Sequence, residues 1–430
     1  MTTIFAPITN INNCAVVVVR ISGDRALWSL QQFGIKNLPK ANEIKFAKIF
    51  DPKTSELIDE VVVSYFQAPH SFTGQDVVEI AFHASKYILK KILTNLAEFN
   101  DFYFAQVGEF SKLAFLNNKI DLVQAEAVLD LINAETESQH KQALAQLQGK
   151  LGKIYEDWKA QIIEILALIE SFIDFPDEDL PAEIIDQASN KVIELATKIS
   201  AHLDDNKRGQ KIKDGLSLAI IGAPNVGKST LLNFLAKSEV AIVSDIAGTT
   251  RDVIEVHLDI SGVAVKIADT AGIRESVDKI EQEGIKRALK KAQEADLKII
   301  LFDRISQIKS EKNTIRVLNK IDLFTDFDTN DFDVVISLKT GENLDLFISK
   351  LEEEVKKIIP NQNQNFITQE RYRISLQKAL HALENFSLEK NIELAAEDLR
   401  IAAYEIAKIS GRIAVDDILD IVFSKFCIGK

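Results

Sequence analysis

The chain has 430 residues, 46% of them hydrophobic and 27% charged, with a formal net charge of −13 at pH 7. That length predicts two or three domains, with enough apolar residues to give each a core. The acidic balance excludes a general polyanion binder, so any RNA contact needs a local basic patch or a basic partner.

Two cysteines, Cys14 and Cys427, allow at most one disulfide and point to a reducing cytoplasm. The six histidines are scattered, with no pair at metal-ligand spacing, so no zinc site is expected. The start, MTTIFAPITNINNC, lacks a basic stretch followed by a long apolar run, and AVVVVRI is only strand length. Neither a signal peptide nor a membrane span is expected.

In chain order, residues 1–117 read as mixed α and β, with strands at Ala15–Ile21, Glu60–Tyr65 and Asp76–Phe82 and a helix at 85–98. Residues 118–211 read as helical. Leu122, Ala125, Val128, Leu129 and Ile132 recur at helical spacing, as do Trp158, Ile162, Ile165, Leu166 and Ile169. Phe175-Pro176 and Leu180-Pro181 break the pattern, and a third helix is expected at 183–204. Residues 212–361 alternate strands (Leu216–Ile221, Val253–Ile260, Val263–Ala268, Leu297–Phe302, Arg316–Leu318, Val334–Ile336) with helices at 228–237, 280–293 and 343–358. That alternation predicts a largely parallel sheet covered on both faces. NQNQN at 361–365 reads as a linker, and residues 370–430 return to helical patterning. The α/β segment is thus inserted into one helical domain built from both flanks.

Four short strings make a guanine-nucleotide site. GAPNVGKST runs from Gly222 to Thr230, directly after a strand and before a helix, the context a phosphate loop requires. Backbone N–H groups around Asn225, Val226, Gly227 and Thr230 cradle phosphate, Lys228 reaches the β- and γ-phosphates, and Ser229 offers its hydroxyl to magnesium. SDIAGTTRD follows, with Ser244, Asp245, Ile246, Ala247, Gly248 and Thr249 leading to Thr250, the candidate magnesium threonine. DTAG, with Asp269, Thr270, Ala271 and Gly272, ends a strand where a carboxylate can hold magnesium through water and a glycine amide can sense the γ-phosphate. NKID places Asn319, Lys320 and Asp322 after another strand. A carboxylate only accepts, so Asp322 suits the two hydrogens at guanine N1 and N2, a pair adenine lacks. Ser337 and Lys339 flank Leu338 in the loop that should follow along the base. Ile273 stands where many GTPases carry a water-orienting glutamine, and an apolar side chain cannot orient water.

GAPNVGKS, AGTTRD, DTAGIRE, NKID, the helix FLNNKIDLVQAEAV at 115–128 and the terminal FCIGK together resemble the MnmE or TrmE family of tRNA modification GTPases, over the whole chain. The resemblance implies an α/β plus α fold: a Ras-like P-loop GTPase domain inserted into a discontinuous helical domain (118–211 and 362–430), preceded by an α+β tetrahydrofolate-binding and dimerisation domain. It implies a potassium-activated GTPase, homodimeric through its N-terminal domain. With a flavin-dependent partner of the MnmG type in a heterotetramer, such an enzyme adds an aminomethyl or carboxymethylaminomethyl group at C5 of the wobble uridine of certain tRNAs. The one-carbon unit comes from a 5-formyl- or 5,10-methylene-tetrahydrofolate.

Carried residue by residue, Asn225, Ser244, Ile246 and Thr249 match the family's potassium site, and Glu281 its water-orienting glutamate. On the residues alone Glu281 reads as an ordinary exposed helix glutamate. Lys228 and Thr250 complete the implied catalytic set. Arg20, Glu79, Lys119 and Lys430 match folate-contacting positions, although their charge alone reads as surface. Cys427 of FCIGK reads either as a reactive thiol or as a small buried hydrophobe. The chain departs from the family in ITNINNCA, where glycines are usual, in Ser244 for threonine, in Leu338 for a small residue, and in a shorter 303–314 segment. A ribosome-assembly GTPase of the Era or Der type would need a second phosphate loop or an RNA module with a GxxG loop, and neither is present. A folate- or tRNA-binding scaffold with a weak GTPase is opposed by the intact Lys228, Ser229, Thr250, Asp269 and Asp322.

Overall fold

The computed structural model describes residues 2–12, 14–174, 182–242, 256–267, 294–304, 312–324, 331–359, 366–388, 391–411 and 416–429. The chain divides into two compact units, Met1–Leu129 with Ile406–Lys430, and Asp130–Glu405.

The first unit is built on a six-stranded sheet of β1 (Thr3–Pro7), β2 (Val16–Ser22), β3 (Glu43–Phe50), β4 (Leu57–Phe66), β5 (Val77–His83) and β6 (Phe102–Phe104). Their spatial order is β3-β4-β5-β2-β1-β6, antiparallel except for the β1–β6 pair. Period-2 alternation sends Val17, Val19 and Ile21 of β2 to one face, where they join Phe5, Val61, Val63, Val78 and Ile80 in the core. Burying each such side chain contributes about 1.5–3 kcal/mol. Helices α1 (Ala26–Gln32) and α2 (Lys86–Ala97) add Leu30, Ile92 and Leu96 to that core. Ser85 caps α2 by accepting from the Ile88 amide at 3.4 Å.

After β6 come α3 (Glu109–Leu116) and α4 (Leu122–Ile132). The family string DLVQ opens α4 as a reciprocal cap: Asp121 Oδ1 accepts from the Gln124 amide at 2.7 Å, and Gln124 Oε1 from the Asp121 amide at 2.9 Å.

The second unit begins with α5 (Glu137–Leu147), α6 (Lys150–Asp174), α7 (Ala182–Leu203) and α8 (Arg208–Asp214). Leu151, Tyr155, Trp158, Ile162, Ile165 and Ile169 form the buried stripe of α6 at steps of three and four. Next come β7 (Leu216–Gly222), α9 (Lys228–Lys237), β8 (Val256–Ile260), β9 (Val263–Ile267), β10 (Leu297–Phe302), β11 (Thr314–Leu318), β12 (Val334–Val335) and α10 (Leu344–Ile358). The sheet order is β12-β11-β10-β7-β9-β8, parallel except for β8 against β9. This is the Ras-like α/β arrangement, and it gathers the C-terminal ends of β7, β10 and β11 on one edge, where such sheets bind ligands. The tight β8–β9 turn has Ser261 and Gly262 at φ 53° and 82°. The Gly262 carbonyl accepts from the Ser138 amide of α5 at 2.9 Å.

Helix α11 (Glu370–Asn385) packs on α7, and Arg373 Nη2 meets buried Asp205 at 2.5 Å while Nη1 donates to the Leu203 carbonyl. The chain closes with α12 (Ile392–Ser410) and α13 (Asp416–Phe423). In the first unit, α13 packs on α3 so closely that a Cβ on Gly108 would lie 2.4 Å from the Phe423 carbonyl oxygen. Ile428 pairs with Val107, and a Cβ on Gly429 would lie 2.3 Å from the Pro7 carbonyl oxygen, so the C-terminal tail runs beside the end of β1.

The sequence reading did not foresee β1, β3 and β6. The expected helix at 280–293, the Pro dipeptides at 175–181 and the NQNQN linker lie outside the described residues, as do residues 305–311 of the shortened segment.

Candidate functional site

The GAPNVGKST loop, the candidate phosphate loop, leaves β7 at Gly222, where a Cβ would sit 2.5 Å from the Leu301 carbonyl oxygen of the neighbouring strand. It turns through Asn225 at φ 60° and Gly227 at φ 113° into α9. At Gly227 a Cβ would come within 2.5 Å of Asn319 Nδ2, so both backbone angle and space require glycine. The first turn of α9 has backbone N–H groups without helical partners, and its dipole favours negative charge there. Lys228 Nζ donates to the carbonyls of Gly222 (2.9 Å) and Ala223 (2.8 Å), which holds the amine over the loop. Ser229 and Thr230 are exposed at the same helix end.

Asn319 ties this loop to the base-side loops. Its Nδ2 donates to the Val226 carbonyl at 2.8 Å, and its Oδ1 accepts from the Leu338 amide at 3.1 Å. Lys320, at φ 66°, donates from Nζ to the Asn225 carbonyl at 2.9 Å and to Asp303 Oδ2 at 3.1 Å. The Lys320 ammonium beside Asp303 holds that carboxyl below its ordinary value. Asp322 Oδ1 accepts from the buried Ser337 hydroxyl at 2.7 Å, and Ser337 Oγ in turn accepts from the Thr340 amide. The carboxylate is thereby oriented at the rim of a cleft of about 400 Å³ lined by Asn225, Gly227, Asn319, Lys320, Leu338 and Lys339 among others. The structure thus brings together Asn225, Val226, Gly227, Lys228, Ser229, Thr230, Asn319, Lys320, Asp322, Ser337 and Lys339. Ser244 through Thr250, Asp269 to Gly272, Ile273 and Glu281 lie outside the described residues.

A second constellation lies in the first unit. Arg20 and Glu79 face each other across the β2–β5 pair, with Arg20 Nε and Nη2 both 2.8 Å from Glu79 Oε1. The Arg20 guanidinium lies over Phe72 and Phe110, 5.3 and 5.6 Å from their ring centres. Lys119 Nζ donates to the Pro69 carbonyl at 2.8 Å, in the same β4–β5 connection that supplies Phe72. Cys427 is exposed, so its reading as a buried hydrophobe is corrected; the side chains that fill the core here are its neighbour Phe426 with Val422 and Phe423. Lys430 lies outside the described residues. Among the described residues no cluster of three or more metal-ligating side chains occurs, and no helix is long and apolar enough to cross a membrane.

Residues 3–119 match the family model for the N-terminus of the GTP-binding protein TrmE, and residues 122–427 match the MnmE helical domain. The chain belongs to the MnmE family.

Its relatives in the MnmE family include the tRNA modification GTPase MnmE of Rickettsia akari, 44% identical, and that of Rickettsia rickettsii, 45% identical, each alignment covering all of both chains. Among solved structures, the G domain of the T. maritima FeoB iron transporter aligns at 24% identity with a TM-score of 0.24, covering 34% of this chain and 98% of that one.

Asp303, Phe72 and Phe110 belong to no motif, yet they contact Lys320 and Arg20 in these two constellations. Asp303 carried a signal, since it ends a strand beside two motif-bearing strands. Phe72 and Phe110 carried none, because their nearness to Arg20 depends on loops remote in sequence.

Proposed function

We propose that this chain is a potassium-activated GTP hydrolase of the cytoplasm. With a flavin-dependent partner of the MnmG type, it installs an aminomethyl-type group at C5 of the wobble uridine of certain tRNAs. A tetrahydrofolate supplies the carbon. We assign residues 1–117 to folate binding and homodimerisation, 118–211 with 362–430 to the helical domain, and 212–361 to the GTPase domain. The observation that carries this reading is the likeness to the tRNA modification GTPase MnmE of R. akari through the full length of both chains.

The residues present fit the nucleotide. The Gly227 loop has no room for a Cβ, α9 offers free N–H groups, and the Asp322 carboxylate is oriented by the Ser337 hydroxyl, which supports a role at the guanine edge. In this reading Lys228 neutralises charge on the β- and γ-phosphates, and Ser229 and Thr250 would hold magnesium, which would supply further positive charge there. Asp269, Thr270, Ala271 and Gly272 read the γ-phosphate, while Ser244, Asp245, Ile246, Ala247, Gly248 and Thr249 close over the nucleotide. Glu281 accepts a hydrogen from the attacking water and aims it at the γ-phosphorus. The water oxygen bonds to that phosphorus as its bond to the bridging oxygen breaks, leaving GDP and phosphate, with the water's proton passing to the phosphate product or to solvent. Potassium held by Asn225, Ser244, Ile246 and Thr249 would supply the positive charge that other GTPases take from an arginine.

The second constellation fits a folate. Glu79 Oε1 takes both Arg20 donors, and its Oε2 has no protein partner among the described residues, so it can accept from a pterin's donor edge. Lys119 and Lys430 would meet the glutamyl carboxylates, and exposed Cys427 is placed as an available thiol. The test is reconstitution: the chain, its flavin partner, tRNA, tetrahydrofolate and GTP, with nucleosides analysed by mass spectrometry. GTP-dependent modification of the wobble uridine is expected. Unmodified tRNA, with an active homologous enzyme as control, would overturn the reading.

A further inference from the structure

We propose that Asp303 is a positioning residue of the nucleotide site: its carboxylate fixes the Lys320 ammonium against the Asn225 carbonyl, and this clamp sets nucleotide retention and the cation demand of the phosphate loop. Asp303 belongs to none of the motifs that mark a GTPase. It follows β10, the strand lying between β7, which carries the phosphate loop, and β11, which carries NKID. The Asn319 amide donates to the Phe302 carbonyl at 2.7 Å, so the end of β10 and the NKID turn are held in register.

Three observations make the clamp more than a surface ion pair. Lys320 Nζ has two fixed partners, Asn225 O at 2.9 Å and Asp303 Oδ2 at 3.1 Å. Lys320 sits in the left-handed region at φ 66°, which a long side-chain-bearing residue keeps only when its surroundings hold it, whereas Asn225 at φ 60° is a residue type that enters this region readily. The Asp303 and Lys320 side chains are 23% and 34% exposed, so water screens their attraction only in part.

The consequence is electrostatic. An ammonium bonded to the Asn225 backbone repels any cation taken by the Asn225 side chain. Asp303, whose nearer cation is Lys320 at 3.1 Å, offsets that charge while leaving the lysine in place to run along the base. Neutralising Asp303 therefore loosens Lys320 and raises the local positive potential. The cation half of this inference rests on the potassium reading above; the retention half does not.

The experiment compares the full-length chain with Asp303→Asn and Asp303→Glu, and with Arg304→Gln, whose side chain is 82% exposed beside the other oxygen of Asp303. Release of a fluorescent GDP and the potassium concentration giving half-maximal GTP turnover are measured for each. Asp303→Asn is expected to release GDP about tenfold faster and to need several times more potassium. Asp303→Glu, which keeps the carboxylate, is expected to stay within about threefold of the parent, and Arg304→Gln to match it. Melting of each variant without nucleotide, unchanged from the parent, separates loss of the clamp from loss of the fold. GDP release by Asp303→Asn within twofold of the parent overturns the clamp. If the parent shows no potassium stimulation, the potassium reading fails, and the GDP-release arm still decides the clamp.

Discussion

The Asn319 carboxamide donates to the Val226 carbonyl at 2.8 Å from a position only 3% exposed, so one side chain joins the NKID turn to the GAPNVGKST loop. Its removal leaves the buried Val226 carbonyl without this partner, at about 1–3 kcal/mol, and the half-buried Leu338 amide at less. Asn319→Ala is expected to lose roughly tenfold or more in GDP affinity and to unfold at lower urea. Equilibrium binding and urea melts check both, and unchanged affinity would remove the brace from the account.

Gly227→Ala separates folding from binding. The new Cβ meets Asn319 Nδ2 at 2.5 Å at a backbone angle of φ 113°. The loop must shift, and nucleotide affinity is expected to fall by about a hundredfold or more. The sheet core of Leu218, Ile220, Ile299 and Val317 is untouched, so circular dichroism should be unchanged. Tight GTP binding by this variant would mean that the cradle tolerates a side chain.

Ser337→Ala tests the proposal that Asp322 reads guanine and that Ser337 aims it. Without the 2.7 Å bond from Ser337, Asp322 can rotate. GTP affinity should fall about five- to tenfold, as for loss of a bond to a charged group partly open to water, while the weak affinity for ATP stays as it was. Titration with both nucleotides reads the ratio; equal losses for both would show a general loosening instead.

The helical part of the second unit carries a pH dependence. Burial holds the His202 imidazole below its ordinary value, against the pull of nearby Asp205 and with Arg373 acting in the same direction as burial. Tyr155 Oη lies 3.3 Å from His202 Nε2, and the Trp158 ring packs edge-on to the imidazole. The unfolded chain takes up this proton near pH 6.5, before the folded chain does. Stability is therefore full above about pH 6.5 and falls as pH drops toward the folded value, by at most about 1.4 kcal/mol per unit. His202→Gln should flatten that slope relative to the parent between pH 7 and 5. Parallel curves for the two proteins would contradict the assignment.

How much of this was legible in sequence depends on how local the determining contacts are. The strands that carry GAPNVGKST and NKID were readable because β7, β10 and β11 are short apolar runs, and each motif is a contiguous string at a strand end. Edge strand β3 was missed because its pattern is misleading: Ile44 and Phe46 are 74% and 64% exposed, so its apolar residues do not mark a buried face. β1 and β6 are short, and their pairing joins residues nearly a hundred apart. The Arg20–Glu79 and Lys320–Asp303 contacts depend on sheet register and strand order, which no single segment encodes.

The most direct test of the account is GTP turnover by the full-length chain in potassium against sodium at equal ionic strength, with Glu281→Ala alongside. Strong stimulation by potassium, lost in Glu281→Ala while GTP binding is kept, is the expected result. Equal, slow turnover in both salts would contradict potassium activation and leave only a guanine-nucleotide site.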